Sequence, residues 1–257
     1  EAMFDAYTQF AIICDGPLLV HERIADHFKE RSQVMTYALG STGVPRAENL
    51  RVVDGVYAFD LISEGKELRD LRLGMPGRHN VENAIAAATV ALRLGVTPEL
   101  LRQGLASFRG VSRRFETRIR SERVVFIDDY AHHPKELDAC IGSVREMYPG
   151  KRITGIFQPH LFSRTKDLAA DFGKSLAALD ELLLLDIYPA REEPIPGITS
   201  KWLLEHVPME AKECTSREGL MAELGIRNVE VVVTLGAGDI DRLVPQIERL
   251  LNERYRP

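Results

Sequence analysis

The feature that most constrains the fold of this 257-residue chain is a repeated change of hydrophobic period from Glu122 onward. Short apolar runs rich in β-branched residues alternate with segments whose apolar residues recur every three or four positions. The runs are ERVVFID, RITGIF, DELLLLDIY and VEVVVTL. The helical spacing is clearest at Leu137, Cys140, Ile141 and Val144. This alternation, repeated about five times, predicts an α/β fold with a doubly wound, mostly parallel sheet, which binds ligands beyond the carboxyl ends of its strands.

We place this domain at residues 109–257 and interpret residues 1–108 separately. The upstream segment has strand-like FAIICDG and VMTYAL, a helix around residues 19–28, and hairpins at Asp54-Gly55 and Glu64-Gly65. Two predicted helices follow, over residues 80–94 and 98–108. These elements include too few central strands for a complete α/β domain, so the segment is predicted to be the tail of one.

Composition excludes several classes of partner. The net charge of -5 comes with no long run of Lys or Arg, which argues against nucleic acid. The three cysteines lie far apart, without a C-x-x-C pair, and favour a reducing cytoplasm over a disulfide framework or a zinc site. The sequence has no signal-peptide pattern and no apolar stretch of the roughly 20 residues that a membrane span needs. It therefore predicts no association with a membrane. The first residue is Glu1, so we expect the chain to be trimmed at its start.

IDDYAHHPKEL, residues 127–137, concentrates polar groups at one predicted strand-to-helix turn. Pro134 suits the first position of a helix, and Glu136 stands three residues after His133, where a capping partner would stand. The alternative is that Asp128 or Asp129 only satisfies loop amides and that His133 only caps the helix. Five such groups together favour a binding site.

QPHLFSRT, residues 158–165, repeats the arrangement before a helix predicted to begin at Ser163. We expect the two turns to be adjacent, so that His160 and Arg164 face the same ligand as the first turn. The planar guanidinium of arginine matches a carboxylate through two parallel hydrogen bonds, which makes Arg164 a candidate clamp for an amino acid. A solvent-facing arginine in the first helical turn is the alternative.

Two further clusters precede these turns. GRHNVEN, residues 77–83, opens a predicted helix, and Asn80 and Asn83 are expected to lie off its apolar face. Their amides offer donor and acceptor together, as the edge of an adenine requires, although two hydrated asparagines would look the same. In SRRFE, residues 112–116, Arg114 could reach a phosphate or ordinary surface acids.

Two glycine motifs resemble phosphate-binding loops without completing them. GKS, residues 173–175, lacks the required glycine five positions earlier, and Lys174 is predicted to face solvent. GAGDID, residues 236–241, has Asp241 where a dinucleotide fingerprint has its third glycine, and it follows the last strand. A tight turn is the favoured interpretation of GAGDID, with a backbone-lined edge of the site as the alternative.

Six blocks, read in order, resemble the Mur ligases of bacterial cell-wall (peptidoglycan) synthesis. They are GRHNVENAIAAATVAL, GVSRRFE, DDYAHHPKEL, QPHLFSRTKDL, DIYPAREEPIPG and VTLGAGDI. The combination of DDYxHHP with QPHxxSRT resembles the motifs of those family members that join L-alanine to UDP-N-acetylmuramate. That family has an N-terminal domain for the UDP-sugar, a central domain for ATP and a C-terminal, Rossmann-like domain for the amino acid.

The resemblance implies that residues 1–108 are the C-terminal remnant of the central ATP-binding domain and that residues 109–257 are the amino-acid-binding ligase domain. ATP would phosphorylate the muramoyl carboxylate, and the amine of L-alanine would attack the acyl phosphate. The sequence contains no GxxxxGK[ST] loop, and the ligands of Mg2+ would lie mostly in a missing part. The chain is therefore predicted to be an inactive fragment of a cytoplasmic ATP-dependent ligase.

The same resemblance assigns individual residues to the two small molecules. For ATP it implies His79, Asn80 and Asn83 at the adenine, Asp129 at the ribose and Arg114 at a phosphate. For L-alanine it implies a pocket of Tyr130, His132, His160 and Arg164, and it assigns no metal ligand. Two positions depart from the family, since Leu161 stands where some members have Arg and Ala131 where Gly is frequent.

Three alternatives stay open at this point. A tripeptide-recycling muramate ligase shares the central helix motif, although the QPH block argues against it. A metal-dependent hydrolase is the second, but adjacent ligands on one turn rarely converge on a metal. Its ligands would be Asp128, Asp129, His132, His133 and His160. A non-catalytic module that binds an amino acid is the third.

Overall fold

The structure is a computed structural model that describes residues 2–256, apart from the side chains of residues 2, 3, 4, 7 and 12. The chain divides into two compact units, residues 1–109 (unit 1) and residues 110–257 (unit 2). Within residues 2–256, no helix is both long enough and apolar enough to cross a membrane.

Unit 1 contains one five-stranded sheet whose strands follow the order of the chain. The strands are β1 (Leu18–His21), β2 (Val34–Leu39), β3 (Arg46–Val53), β4 (Val56–Ser63) and β5 (Lys66–Leu73). The helices are α1 (Ala2–Ile13), α2 (Arg78–Arg93) and α3 (Pro98–Ser107), with a 3-10 helix over Glu22–Phe28. The first three strands pair in parallel and the last three pair antiparallel. Unit 1 therefore joins a short parallel segment to a meander.

Both hairpins of the meander are confirmed. Asp54 and Gly55 have φ of 51° and 65°, and Glu64 and Gly65 have φ of 45° and 76°. Two successive residues with positive φ match the right-handed twist of the strands that they join, which is why Asp-Gly and Glu-Gly stand there. The turns fix the register, since Val53 pairs with Val56 and Ser63 with Lys66.

One sequence prediction in unit 1 is wrong, and another is confirmed only in part. FAIICDG belongs to the end of α1, which runs to Ile13, and to the loop after it. A short apolar run does not distinguish a strand from a buried helical turn, and here the helix begins well before the run. The helix predicted around residues 19–28 is instead β1 followed by the 3-10 helix, which the ring of His21 caps by accepting a hydrogen bond from the amide of Arg23.

Unit 2 is a doubly wound α/β sheet, as the alternation of periods predicts. The strands are β6 (Glu116–Arg120), β7 (Val125–Asp129), β8 (Ile153–Phe157), β9 (Glu181–Leu184), β10 (Lys212–Cys214) and β11 (Val231–Leu235). The helices are α4 (Pro134–Met147), α5 (Phe162–Asp167), α6 (Ala169–Leu176), α7 (Ser200–Glu205), α8 (Leu220–Ile226) and α9 (Val244–Arg254), with a 3-10 helix over Asp239–Arg242. All adjacent strands pair in parallel except β6 and β7.

The strand order of unit 2 is β10-β9-β8-β11-β7-β6. Every residue of β7, β8 and β11 is buried, which explains why most of their residues are apolar and why the strands do not alternate apolar and polar positions. The order corrects one prediction: the β7 and β8 turns are not adjacent, because β11 lies between the two strands. The turn after β11 consequently lies between the turns that carry the polar clusters.

Gly173 of the GKS motif has a packing role in α6. A Cβ at this position would overlap the carbonyl oxygen of His206 and lie 2.9 Å from its carbonyl carbon, so α6 meets the end of α7 at this glycine. The side chain of Lys174 is 80% exposed and pairs with Asp171, as predicted for a lysine opposite the apolar face. The motif is thus explained by helix packing and not by a phosphate.

Candidate functional site

The β7–α4 turn begins with Asp129, a buried carboxylate that organises two backbone segments. One oxygen accepts a hydrogen bond from the amide of Ala131 at 2.7 Å, and the other from the amide of Phe115 at 2.6 Å. Burial raises the pKa of Asp129 to about 6, although these two hydrogen bonds oppose the shift. Ala131 does not have positive φ, so its side chain is compatible with this turn in place of glycine.

The pKa of Asp129 predicts that unit 2 loses stability as the pH rises. The folded state holds the proton of Asp129 more tightly than an unfolded chain, whose carboxyl has a pKa near 3.8. The stabilising contribution is therefore complete below about pH 4 and is lost as the pH rises through about 6. Relative to an Asp129→Asn variant, the free energy of unfolding of the wild type should fall by about 2 kcal/mol between about pH 4.5 and about pH 7.5.

Fluorescence of Trp202, the one tryptophan of the sequence, reports this unfolding because Trp202 lies in α7 of unit 2. Asp138→Asn is the matched control, since Asp138 is an exposed residue of the neighbouring helix. A difference of the same size between wild type and Asp138→Asn would mean that the effect is not specific to Asp129. A wild type and an Asp129→Asn variant with the same pH dependence would contradict the prediction.

Asp128, the other acid of the pair, is tied to β11 and to Arg113. Its carboxylate accepts a hydrogen bond from the hydroxyl of Thr234 at 2.6 Å and lies 3.5 Å from Nε of Arg113. Burial raises the pKa of Asp128, while Thr234 and Arg113 act in the opposite direction. Asp128 therefore holds the ends of two strands together.

Arg113 is a central residue of the site that the sequence analysis missed. Its guanidinium donates to the carbonyl of Gly236 at 2.6 Å and lies 4.9 Å from the centre of the Tyr130 ring. Arg114, the residue selected from the sequence, is exposed, with its guanidinium 5.6 Å from the same ring. Two consecutive arginines gave no local signal to separate the partly buried Arg113 from the exposed Arg114.

His133 serves as the N-cap of α4, as the sequence predicts. Its ring accepts a hydrogen bond from the amide of Lys135, and the side chain of Glu136 accepts one from the amide of His133. Both halves of a capping box are therefore present. His133 therefore caps α4, whereas the ring of its neighbour His132 contacts the ring of His160 in the β8 turn.

Four aromatic side chains form a row that joins the two predicted turns; we call it the ring row. Its members, in order, are Tyr130, His132, His160 and Tyr188. Successive ring centres are 5.3, 5.9 and 5.6 Å apart. The first two contacts are edge-to-face, and His160 stacks on Tyr188 at an angle of 21°. The sequence-predicted Tyr130, His132 and His160 thus lie together even though their strands are not adjacent.

His160 and Arg164 both present buried nitrogen atoms without a hydrogen-bond partner. The atoms are Nδ1 of His160 and Nη1 of Arg164, and neither has a partner among the residues that the structure describes. Burial lowers the pKa of His160, and the charges of Arg164 and His132 lower it further. A buried polar atom without a partner is costly, so such atoms mark a place where a ligand can bind.

The GAGD loop, residues 236–239, is the middle part of the site. A Cβ on Gly236 would lie 2.7 Å from the carbonyl oxygen of Gln158, and one on Gly238 would lie 2.7 Å from Cβ of Tyr188. Gln158 holds the loop, because its amide donates to Asp239 at 2.9 Å and accepts from the amide of Ile240 at 2.9 Å. Beyond forming a turn, the glycines of GAGDID allow the loop to pack against the β8 turn.

In unit 1, α2 presents its three candidate residues differently. His79 and Asn83 are exposed, so their side chains are accessible to a ligand. Asn80 is buried, and its amide donates to the carbonyl of Pro76 within the first turn of the helix. The expectation that Asn80 lies off the buried face is wrong, because the helix start needs this amide for its own backbone.

Residues 113–238 match the family described as Mur ligase, glutamate ligase domain. The chain is 42% identical over 260 residues to the UDP-N-acetylmuramate–L-alanine ligase of Parabacteroides distasonis, covering 100% of this chain and 56% of that protein. It is 45% identical over 216 residues to the ligase of the same name from Flavobacterium johnsoniae, covering 84% and 48%. It is 53% identical over 206 residues to the ligase of the same name from Porphyromonas gingivalis, covering 80% of this chain and 45% of that protein.

The chain belongs to the Mur ligase family. It spans about half the length of the curated relatives it matches. Among solved Mur ligase structures, the UDP-N-acetylmuramate–alanine ligase of Thermotoga maritima aligns with a TM-score of 0.68 and 26% identity, covering 86% of this chain and 47% of that one. The MurF ligase of the same organism, solved in complex with ADP, aligns with a TM-score of 0.68 and 17% identity, over 93% and 55%. The second alignment shows a shared fold only.

The metal-dependent hydrolase is not favoured by the Mur ligase match or by the geometry. Throughout residues 2–256, no group of three or more His, Cys, Asp or Glu side chains is placed to hold a metal ion. Asp129 is engaged by two amides, and His133 caps α4. The acids and histidines of this turn therefore organise a Mur ligase domain and do not converge on an ion.

Proposed function

We propose that this chain is part of an ATP-dependent ligase that joins L-alanine to the carboxylate of UDP-N-acetylmuramate, and that unit 2 recognises the L-alanine. The relatives described above carry this activity in their names, at identities of 42–53% over most of this chain. In the proposed reaction the carboxylate is activated as an acyl phosphate, and the amine of L-alanine attacks it.

The observation that carries the proposal is the pair of unpartnered nitrogen atoms on His160, the third member of the ring row, and on Arg164. The guanidinium of Arg164 suits the carboxylate of an amino acid, since it is always charged and presents parallel donors. The aromatic sides of the ring row suit a small apolar side chain. A bound L-alanine would thereby satisfy groups that are otherwise buried at a cost.

Attack on an activated carbonyl requires the amine of L-alanine to be uncharged. The lowered pKa of His160 keeps its imidazole neutral near neutral pH, so that it can accept a proton from the ammonium group. The lone pair of the amine then forms the new bond to the carbonyl carbon, the bond from that carbon to the phosphate oxygen breaks, inorganic phosphate leaves, and the nitrogen releases its second proton to solvent. His132 lies beside His160, with its Nδ1 3.2 Å from Glu136, and we assign it to the same pocket.

ATP, when bound, supplies the phosphoryl group that activates the carboxylate. In unit 1 we retain His79 and Asn83 as adenine contacts because both are exposed, whereas Asn80 fits the role of supporting the helix start. In unit 2 we retain the exposed Arg114 for a phosphate. Asp129 remains the proposed ribose contact, although both of its oxygens already accept one hydrogen bond. Among the described residues no group of three or more His, Cys, Asp or Glu side chains is placed to hold a metal ion, and we propose no residue of this chain as a ligand of Mg2+.

Isothermal titration calorimetry of the chain with L-alanine tests this proposal. We expect L-alanine to bind and the tripeptide of the recycling ligases not to compete. Competition by the tripeptide would favour the recycling activity, and absence of L-alanine binding would overturn the assignment of the pocket.

We also expect the 257-residue chain alone to form no product from ATP, L-alanine and UDP-N-acetylmuramate, because its sequence has no GxxxxGK[ST] loop to hold the phosphates. Chromatography of the sugar nucleotide would detect product. Formation of product that depends on both ATP and L-alanine would contradict this expectation.

A further inference from the structure

The loop between β9 and α7, residues 185–199, packs on the turn that carries His160 and Arg164. The amide of Leu161 donates to the carbonyl of Tyr188 at 3.0 Å, and the amide of Tyr188 donates to the carbonyl of Pro159 at 2.8 Å. These bonds form an isolated parallel bridge between His160 and Tyr188. The same loop supplies the ring on which His160 stacks.

The loop is anchored a second time by Glu192, at the start of α5. Its carboxylate accepts hydrogen bonds from the amide of Ser163, at 3.0 Å, and from the hydroxyl of Ser163. These bonds hold the pKa of Glu192 below its usual range, and the charge of His160 acts in the same direction. Ser163 stands directly before Arg164, so the anchor acts on the residue next to the proposed clamp.

The turn that this loop holds is strained. Leu161 has φ of 73° and ψ of 133°, a conformation that residues with side chains rarely adopt. Such a residue keeps its conformation only when surrounding contacts determine it. Here the contacts come from Tyr188 and from α5, where the amide and hydroxyl of Thr165 donate to the carbonyl of Leu161.

We propose that Glu192 is a positioning residue, which clasps the β9–α7 loop onto α5 and so holds His160 and Arg164 in the orientation that binds the amino acid. This inference rests on the proposed function for its ligand, and on the contacts of Glu192 for its mechanism. Glu192 itself does not touch the ligand. It acts through Ser163 and through the ring of Tyr188.

Affinity for L-alanine separates positioning from charge, because the two act with opposite signs. Removing a carboxylate near a carboxylate-binding corner strengthens binding if Glu192 acts by charge alone. If Glu192 acts by positioning, Glu192→Ala weakens binding by about tenfold, which is the typical loss for a hydrogen bond to a charged group. Glu192→Gln keeps one acceptor oxygen and should fall between the two, and Ser163→Ala should weaken binding less than Glu192→Ala.

Glu193→Ala is the matched control, since Glu193 is the exposed neighbour in the same loop. Calorimetry should give this variant the affinity of the wild type. Every variant should still unfold in one cooperative transition, followed by Trp202 fluorescence, which excludes a folding defect. Unchanged or tighter binding by a folded Glu192→Ala variant would overturn the proposal.

A second measurement does not need the ligand, and it separates this inference from the proposed function. Failure of the wild type to bind L-alanine would refute the function alone. The pKa of His160, followed by NMR of its imidazole and assigned with His160→Gln, should fall in Glu192→Gln, because the nearby carboxylate favours the protonated ring. The pKa should not move in Glu193→Gln. Equal pKa values in wild type and Glu192→Gln would show that the clasp does not form.

Discussion

Replacing Arg164 with alanine should lower the affinity of the chain for L-alanine by about a hundredfold, the upper part of the range for a buried, charge-assisted hydrogen bond. One of its guanidinium nitrogens is buried without a partner, so the group is ready to receive a carboxylate. Arg164→Lys keeps the charge but not the planar pair of donors, and it should recover only part of the affinity. Calorimetry measures the affinity for L-alanine of the wild type, Arg164→Ala and Arg164→Lys.

Lys166→Ala is the control for Arg164, since Lys166 is an exposed cation of the same short helix. Its affinity for L-alanine should equal that of the wild type. A similar loss of affinity in Arg164→Ala and Lys166→Ala would mean that L-alanine is bound by the net positive charge of α5 and not by a specific contact with Arg164. Full affinity in Arg164→Ala would remove the residue from the pocket.

Gly173→Ala should destabilise unit 2 by about 3 kcal/mol, at the upper end of what overpacking of a core usually costs. The added methyl group would overlap the carbonyl of His206, which is backbone and cannot turn away as a flexible side chain would. The ends of α6 and α7 would have to separate. Urea unfolding followed by Trp202 fluorescence measures the change close to the contact, because Trp202 and His206 belong to the same helical segment, with rings 4.4 Å apart.

Gly142→Ala gives the opposite result in the same experiment. Gly142 lies inside α4, and nothing stands within 4 Å of the position of its missing Cβ. Alanine there should stabilise the helix by about 0.5–1 kcal/mol, because glycine has the greater freedom in the unfolded chain. Equal effects at the two glycines would show that α6 and α7 are not closely packed.

The central strands of unit 2 could be predicted because their signal is local. β7, β8 and β11 are buried on both faces, and most of their residues are accordingly apolar, without the alternation of a half-exposed strand. The capping box of α4 and the two hairpins of unit 1 are local in the same way. FAIICDG failed for the converse reason, since its apolar run alone fits a helix and a strand equally well.

The part of the site that sequence reasoning missed depends on contacts between distant segments. Gly236 and Gly238 are needed because Gln158 and Tyr188 approach them, and nothing near the glycines in the sequence reveals this approach. Arg113 differs from Arg114 only through partners on other elements, Asp128 and Gly236. Tyr188 joins the ring row through a loop that has no helical or strand period. Residue types and turn positions could be predicted, but not the order of the strands that brings them together.

The place of β11 in the sheet has a consequence for how unit 2 is made. The ribosome delivers β7 and β8 first, yet neither pairs with the other, because residues 231–235 must come between them. Until those five residues emerge, both strands carry unsatisfied edges, which is the condition that favours association with other chains. A nascent or truncated chain that stops before Val231 would therefore lack the central strand of the sheet and have two aggregation-prone edges in its place.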